Sequence, residues 1–135
     1  MKFTDNQELA MSLDRHVVVN AGAGSGKTSV LVHRYMRILD SVSGIDMTNI
    51  VAITFTKKAA GELKNRLASL IDIQLDRKQK DLWLSQLPNA YISTIHGFCH
   101  RLIKKYGSVL DLDPQFVVMD GDQAMIVWNH IMDTY

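Results

Sequence analysis

The stretch Val17-Val18-Val19-Asn20-Ala21-Gly22-Ala23-Gly24-Ser25-Gly26-Lys27-Thr28-Ser29 constrains the fold of this chain more than any other. Three β-branched residues run into small ones, then Gly-Lys-Thr, then the apolar Val30-Leu31-Val32. That order predicts a buried strand, a glycine-rich loop and a helix. Such a loop turns successive backbone N–H groups inward, and the helix N-terminus behind it adds partial positive charge, so together they suit a polyphosphate. Ala21, Gly22, Ala23, Gly24, Ser25, Gly26, Lys27, Thr28 and Ser29 are the candidate phosphate-binding set. Lys27 would reach the β- and γ-phosphates and is the candidate catalytic residue, and the Thr28 hydroxyl is the candidate Mg²⁺ ligand. The strict pattern has glycine where Ala21 stands, but alanine still permits a tight turn. The plainer alternative is a small-residue turn with an incidental lysine. A phosphate loop by itself names no reaction.

The 135 residues suffice for one domain with a core, and 47% hydrophobic with 21% charged residues is ordinary for a globular chain. No apolar run of membrane-spanning length occurs, and Met1-Lys2-Phe3-Thr4-Asp5 lacks an apolar signal core. One cysteine, Cys99, leaves no internal disulfide and fits a reducing cytoplasm, the expected location. Charge is uneven. Residues 1–106 carry all 15 Lys and Arg with 9 of the 14 acids, whereas residues 107–135 carry 5 Asp and no Lys or Arg. A basic body suggests a polyanionic ligand, with a solvated charged face as the alternative.

Thr4 with Gln7 three places on forms a capping box, predicting a short helix over 4–14. Gln7 has a second reading, its amide pairing with N6 and N7 of an adenine, and the residues alone do not separate the two. A helix is expected from Lys27 to about Ser41, stopped by Ser43-Gly44, then a buried parallel strand over Ile50–Phe55. Thr56 can cap the next helix, with Ala59, Leu63, Leu67 and Leu70 inward; Arg77–Lys80 follows, then a short amphipathic piece from Leu82 to Leu87. Tyr91–Ile95 reads as a third strand and His96–Tyr106 as a helix with Phe98/Cys99, Leu102/Ile103 and Tyr106 inward, closed by Gly107. Phe116–Met119 reads as a fourth strand, and Asp120 can cap a last helix. Strands alternating with helices predict an α/β fold with a parallel sheet flanked by helices, in one domain.

Two strand ends share a design. Thr54, Phe55, Thr56 and Lys57, and Thr94, His96 and Phe98, place hydroxyls, aromatics and donors where open parallel sheets bind ligands. Hydroxyls and helix N-termini hold phosphates and aromatic rings stack on unpaired bases, so these seven residues are candidate contacts for single-stranded DNA. Phe55 and Phe98 as core residues, and His96 as a hydrogen-bonded loop residue, remain open alternatives. The five His and one Cys show no zinc spacing.

Thr4-Asp-Asn-Gln7, Ala21-Gly-Ala-Gly-Ser-Gly-Lys-Thr28, Ala52-Ile-Thr-Phe-Thr-Lys-Lys-Ala-Ala60 and Ser93-Thr-Ile-His-Gly-Phe-Cys99 occur in this order over essentially the whole chain. The sequence resembles the N-terminal part of UvrD/Rep superfamily 1A DNA helicases. The runs Ser93–Cys99 and Leu110–Asp120 look most like the AddA/RecB helicase–nuclease branch. The resemblance implies a P-loop NTPase, RecA-like, partial domain, with ATP and Mg²⁺ as cofactors. In it Gln7 would read adenine, Lys27 and Thr28 would hold phosphate and metal, and Thr54, Phe55, Thr56, Thr94 and His96 would lie along the single-stranded DNA track. Ser29 departs from members that carry an adenine-packing arginine there.

The family hydrolyses ATP with an apolar strand ending Asp-Glu, a following Gln and arginines from a second RecA-like domain. No Asp-Glu pair exists in this chain, and in Phe116–Gln123 Gly121 stands where the glutamate would be. The resemblance implies that residues from about 121 begin the connection to an inserted subdomain. The expected function is therefore the ATP- and DNA-binding N-terminal segment of an ATP-dependent DNA helicase, possibly a helicase–nuclease, in repair or recombination. Its partners would be further C-terminal helicase domains or a helicase–nuclease subunit, with no membrane. The chain alone is expected to lack significant ATPase activity. Alternatives are a stand-alone nucleotide- or DNA-binding module without turnover, and a P-loop kinase of small substrates, which the Thr-Phe-Thr and Thr-Ile-His blocks disfavour. In the last helix Ala124, Val127 and Ile131 make one apolar stripe and Met125, Trp128 and Met132 a second, together covering more than half the circumference. One side is expected to pack on the sheet and the other to stay uncovered.

Overall fold

The computed structural model describes residues 2–74, 76–113 and 115–134. The chain forms two compact units, Met1–Cys99 and His100–Tyr135.

The first unit opens with α1 (Asp5–Ala10). Its capping box forms as the spacing predicts: the Gln7 backbone N–H donates to Thr4 Oγ1 at 3.3 Å, and Gln7 Oε1 accepts from the Thr4 N–H at 3.0 Å. Helix α2 (Lys27–Ser41) follows the glycine-rich loop and buries Val30, Val32, Tyr35, Met36 and Leu39. β1 (Val51–Thr54) leads into α3 (Lys57–Gln74), whose start is capped by Thr56 Oγ1 accepting from the Ala59 N–H at 3.1 Å. Next come α4 (Arg77–Gln86), a single 3₁₀ turn over Leu87–Asn89, and β2 (Tyr91–Thr94), which runs into α5 (Ile95–Tyr106).

β1 and β2 pair in parallel, with Val51 opposite Tyr91 and Thr54 opposite Thr94. A parallel pair needs a long crossover, and α3 with α4 supplies it. The core lies between α2, α3 and one face of this sheet: Leu63, Leu67 and Ile71 of α3 meet Val32 and Met36 of α2, Ala52 and Ile92 of the strands, and Trp83 of α4. A second cluster of Ala10, Met11 and Val30, joined by Phe3 and Val17, fixes α1 against α2.

The first unit departs from the sequence reading in three places. Val17–Asn20 joins no ladder: Val17 packs on the α1–α2 cluster while Val18 is 97% exposed. A strand persists through its neighbours, and among the described residues β1 and β2 pair only with each other. For the same reason the other face of β1 is open, Val51 and Ile53 being about half exposed. Arg77–Lys80 is helical rather than linking chain, because the Asp76 carboxylate accepts from the Gln79 N–H at 2.9 Å and starts α4 there. Finally, α5 buries none of its residues: Phe98 and Leu102 are half-buried, whereas Cys99, Ile103 and Tyr106 are exposed.

In the second unit, Gly107 begins a 3₁₀ turn (Gly107–Leu110), and the left-handed residue is Asp111 at φ 53°. A Cβ on Gly107 would sit 3.4 Å from Ile103 and Leu112, so glycine allows this close approach. The fourth strand expected at Phe116–Met119 is absent, and Val117, Val118 and Met119 are exposed. Helix α6 (Gly121–Thr134) is capped as expected, Asp120 Oδ1 accepting from the Gln123 N–H at 2.8 Å. It buries no residue, contrary to the expectation that one side packs on the sheet. Burying a stripe takes an opposing layer, and Gly107 is the sole buried residue among those described in this unit.

Candidate nucleotide and nucleic-acid site

Gly24 (φ 77°) and Gly26 (φ 83°) bend the loop into α2 through the left-handed region, where a side chain is strained. Gly26 is also sterically required, since a Cβ there would lie 3.1 Å from Gln7 Nε2. As the N-cap of α2 it supplies no side-chain acceptor, so the first-turn N–H groups keep room for an external anion.

The loop is closed on itself. Lys27 Nζ donates to the carbonyls of Ala21 at 2.8 Å and Gly22 at 2.5 Å, and Ser25 Oγ donates to Gly22 O at 2.8 Å. The ammonium thus sits over the loop within reach of whatever the loop cradles. Gln7 spans two elements: while its Oε1 completes the α1 capping box, its Nε2 donates to Ser25 O at 3.2 Å. Of the two readings of Gln7, capping is the one in place, with the rest of the amide holding the loop. Ser29 is half-buried, and its carbonyl accepts from His33 Nδ1 at 2.8 Å.

The strand register aligns the two strand ends read as a nucleic-acid track. With Thr54 opposite Thr94, the segments Phe55-Thr56-Lys57 and Ile95-His96 leave the same edge of the sheet. Phe55 is fully exposed, and Lys57 and His96 are exposed. The hydroxyls are used locally: Thr54 Oγ1 donates to Thr56 O at 2.9 Å, and Thr94 Oγ1 accepts from the Gly97 N–H at 3.2 Å. Phe98 lies apart from that edge, half-buried and edge-on to Tyr91 with ring centroids 5.8 Å apart. Phe55 is therefore the one aromatic of the set free to stack on a base. Among the described residues no three His, Cys, Asp or Glu gather as metal ligands.

Sequence reading missed the bonds that seat α1 on α2. Arg34 donates to Ala10 O at 2.8 Å, and Arg37 pairs with Glu8 at 2.5 Å. Arginines at 34 and 37 share one helix face, but nothing in the pattern names a partner 24 or more residues away. It also missed two cavities flanking α2: one of about 800 Å³ beside Gln7, Val19, Lys27 and Arg34, and one of about 300 Å³ toward α3. Away from the site, burial first and then the Asp46 charge push the Tyr35 hydroxyl up to about 12, while its O–H donates to Met47 O at 3.2 Å. Hydrogen bonds from the Thr48 hydroxyl and amide hold the Asp46 carboxyl below its ordinary value.

Comparison with known proteins gives this arrangement its family. The UvrD/REP helicase N-terminal domain matches residues 3–134. The chain is 37% identical to an ATP-dependent helicase/nuclease subunit from Desulforudis audaxviator, over 98% of the chain and 11% of that protein. Identity to the proteins of the same name is 36% in Geobacillus kaustophilus and 37% in Bacillus velezensis, over 98% and 97% of the chain and 11% of each relative. The chain thus spans about a tenth of the length of the curated relatives it matches, and no helix among its described residues is long and apolar enough to cross a membrane. These matches bear out the resemblance carried by the four sequence blocks: the chain belongs to the UvrD/REP helicase N-terminal domain family.

Proposed function

We propose that the chain is the ATP-binding, single-strand-contacting N-terminal segment of an ATP-dependent DNA helicase that works with a nuclease in repair or recombination. One observation carries this reading: Lys27 Nζ held over a loop whose glycines turn it into an uncapped helix N-terminus. In it residues 22–28 form a P-loop of a RecA-like domain, whose N–H groups and Lys27 take the β- and γ-phosphates while the Thr28 hydroxyl ligates Mg²⁺. Bound ATP–Mg²⁺ supplies the free energy for travel on DNA, and this chain's residues hold and orient it. Phosphate entry displaces Lys27 from the Ala21 and Gly22 carbonyls, and Gln7, released from Ser25, meets the adenine. Thr54, Phe55, Thr56, Lys57, Thr94 and His96 contact the single strand along the sheet edge. Residues from about 121 lead toward an inserted subdomain.

A second reading, a nucleotide- and DNA-binding module without turnover, describes the 135 residues by themselves. The absent Asp-Glu pair favours it, as does Asp120, whose carboxylate is engaged as the α6 cap. Phosphoryl transfer depends on positioning and charge stabilisation, so a chain without base or finger arginines turns over little. Steady-state phosphate release with and without oligo(dT), beside titration with a non-hydrolysable ATP analogue, tests both. Binding of the analogue without DNA-stimulated release is expected. Stimulated turnover on the order of 1–100 s⁻¹ would give Asp120 or Asp122 the role denied it here, and absence of nucleotide binding would end the first reading.

A further inference from the structure

The loop accounts for phosphates but not for the nucleoside attached to them. Family members with an arginine at position 29 pack it on the base; Ser29 cannot. Two cavities flank α2, and they differ in what they offer.

The larger one has an apolar floor of Val17, Val19 and Leu31. Its guanidinium, Arg34, is committed to the Ala10 carbonyl. The smaller one, about 300 Å³, opens on the opposite face of α2, at Ser29, immediately after Thr28. Val32 and Leu70 give it an apolar floor, and His33, Asn65 and Arg66 give it polar groups. That mixture of a flat apolar bed with a few directed donors and acceptors is what an organic ligand site carries. Arg66 is exposed and makes no ion pair among the described residues. It extends from α3 toward the turn of α2 that follows the phosphate-binding residues, and Ser29 to His33 spans about 6 Å along the axis, well within the reach of a nucleoside extending from phosphates at the helix N-terminus.

We infer that this α2–α3 cavity takes the nucleoside of the bound nucleotide, with the Arg66 guanidinium laid on the face of the base that Ser29 leaves bare. Planar guanidinium groups stack well on heteroaromatic rings and hold their charge at any accessible pH. The inference rests on the nucleotide reading of the loop. Gln7 then reads the base edge from the α1 side and Arg66 covers its face from the α3 side, while Asn65 lies within the same cavity for the ribose hydroxyls.

The test compares Mg·ATP analogue with magnesium tripolyphosphate, which has the phosphates and no nucleoside, in calorimetric titrations of wild type, Arg66→Ala, Arg66→Lys and Lys27→Ala. Arg66→Ala is expected to weaken the analogue about five- to tenfold and to leave tripolyphosphate unchanged. Arg66→Lys, which keeps the charge and loses the plane, is expected to lose nearly as much. Lys27→Ala is expected to weaken both ligands. Analogue binding equal in wild type and Arg66→Ala, with Lys27→Ala still impaired, would overturn the inference and leave the phosphate loop standing. Equal loss of both ligands in Arg66→Ala would make Arg66 a general charge and overturn it too. A wild type that binds neither ligand overturns the loop reading and the inference together.

Discussion

Lys27 Nζ donates to the carbonyl of Ala21 at 2.8 Å, across the mouth of the loop that separates them in sequence. Together with the bond to Gly22 O, this leaves a charged side chain satisfied by two neutral acceptors in a solvent-exposed site. A phosphate offers charged oxygens, whose hydrogen bonds to an ammonium are roughly twice as strong as neutral ones. The present bonds hold the ammonium in place without competing strongly for it.

Lys27→Ala should therefore weaken a non-hydrolysable ATP analogue by about 1.5–3 kcal/mol, or roughly ten- to a hundredfold. Isothermal titration measures it. The Ala21 and Gly22 carbonyls are exposed to water, so the variant should keep the wild-type melting temperature. Equal affinity in both proteins removes Lys27 from the site.

Leu67 is fully buried at the centre of the α2–α3–sheet core, whereas Ile73 on the same helix is 78% exposed. Leu67→Ala should cost about 2–5 kcal/mol, the usual penalty of lost transfer energy and a residual cavity. Ile73→Ala should cost less than about 0.5 kcal/mol. Urea unfolding of the two variants checks the contrast, and similar costs would mean that α3 does not face the core as described.

Local signals in the sequence translated well. Thr4 with Gln7, Thr56 before α3 and Asp120 before α6 all cap helices, because a cap is decided within three residues. The ends of α2 and the two strands around Ala52 and Ile92 were legible from periodicity for the same reason. Val17–Asn20 and Phe116–Met119 were misread because an apolar β-branched run states a preference, whereas a strand requires a partner. In the candidate site the glycines and Lys27 were legible because their roles are written in the loop itself. Gln7 holding Ser25, Arg34 holding Ala10 and Arg66 beside Ser29 arise where α1, α2 and α3 meet, and no spacing encodes such a meeting.

Tyr35 predicts an alkaline limit. Its hydroxyl is pushed up to about 12 because burial, and then the Asp46 charge, disfavour the phenolate in the fold. The unfolded chain ionises near 10, so the stabilisation from keeping Tyr35 neutral is complete below pH 10 and is lost as pH rises through 12. That displacement corresponds to roughly 2–3 kcal/mol at most. Tyr35→Phe removes this contribution, so its stability should fall less steeply than wild type between pH 10 and 12. Parallel urea midpoints across that window would rule out Tyr35 as a titrating element of the core.

Helix α6 leaves Met125, Trp128 and Met132 each about three-fifths exposed, and no α6 residue is buried. A contiguous apolar surface of this kind is an interface or an association liability, and the five aspartates of residues 107–135 do not interrupt the stripe itself. The 135-residue chain should therefore self-associate as its concentration rises. In sedimentation velocity the wild-type coefficient should climb with concentration, while Trp128→Lys/Met132→Lys should hold a constant monomer value. Acrylamide quenching supplies an independent readout, because Trp83 is buried in the core and Trp128 is the accessible tryptophan. The accessible fraction should be high in dilute protein and fall as association proceeds. A wild type that stays monomeric throughout, with Trp128 already shielded in dilute solution, would show that α6 finds its cover within a single copy of the chain.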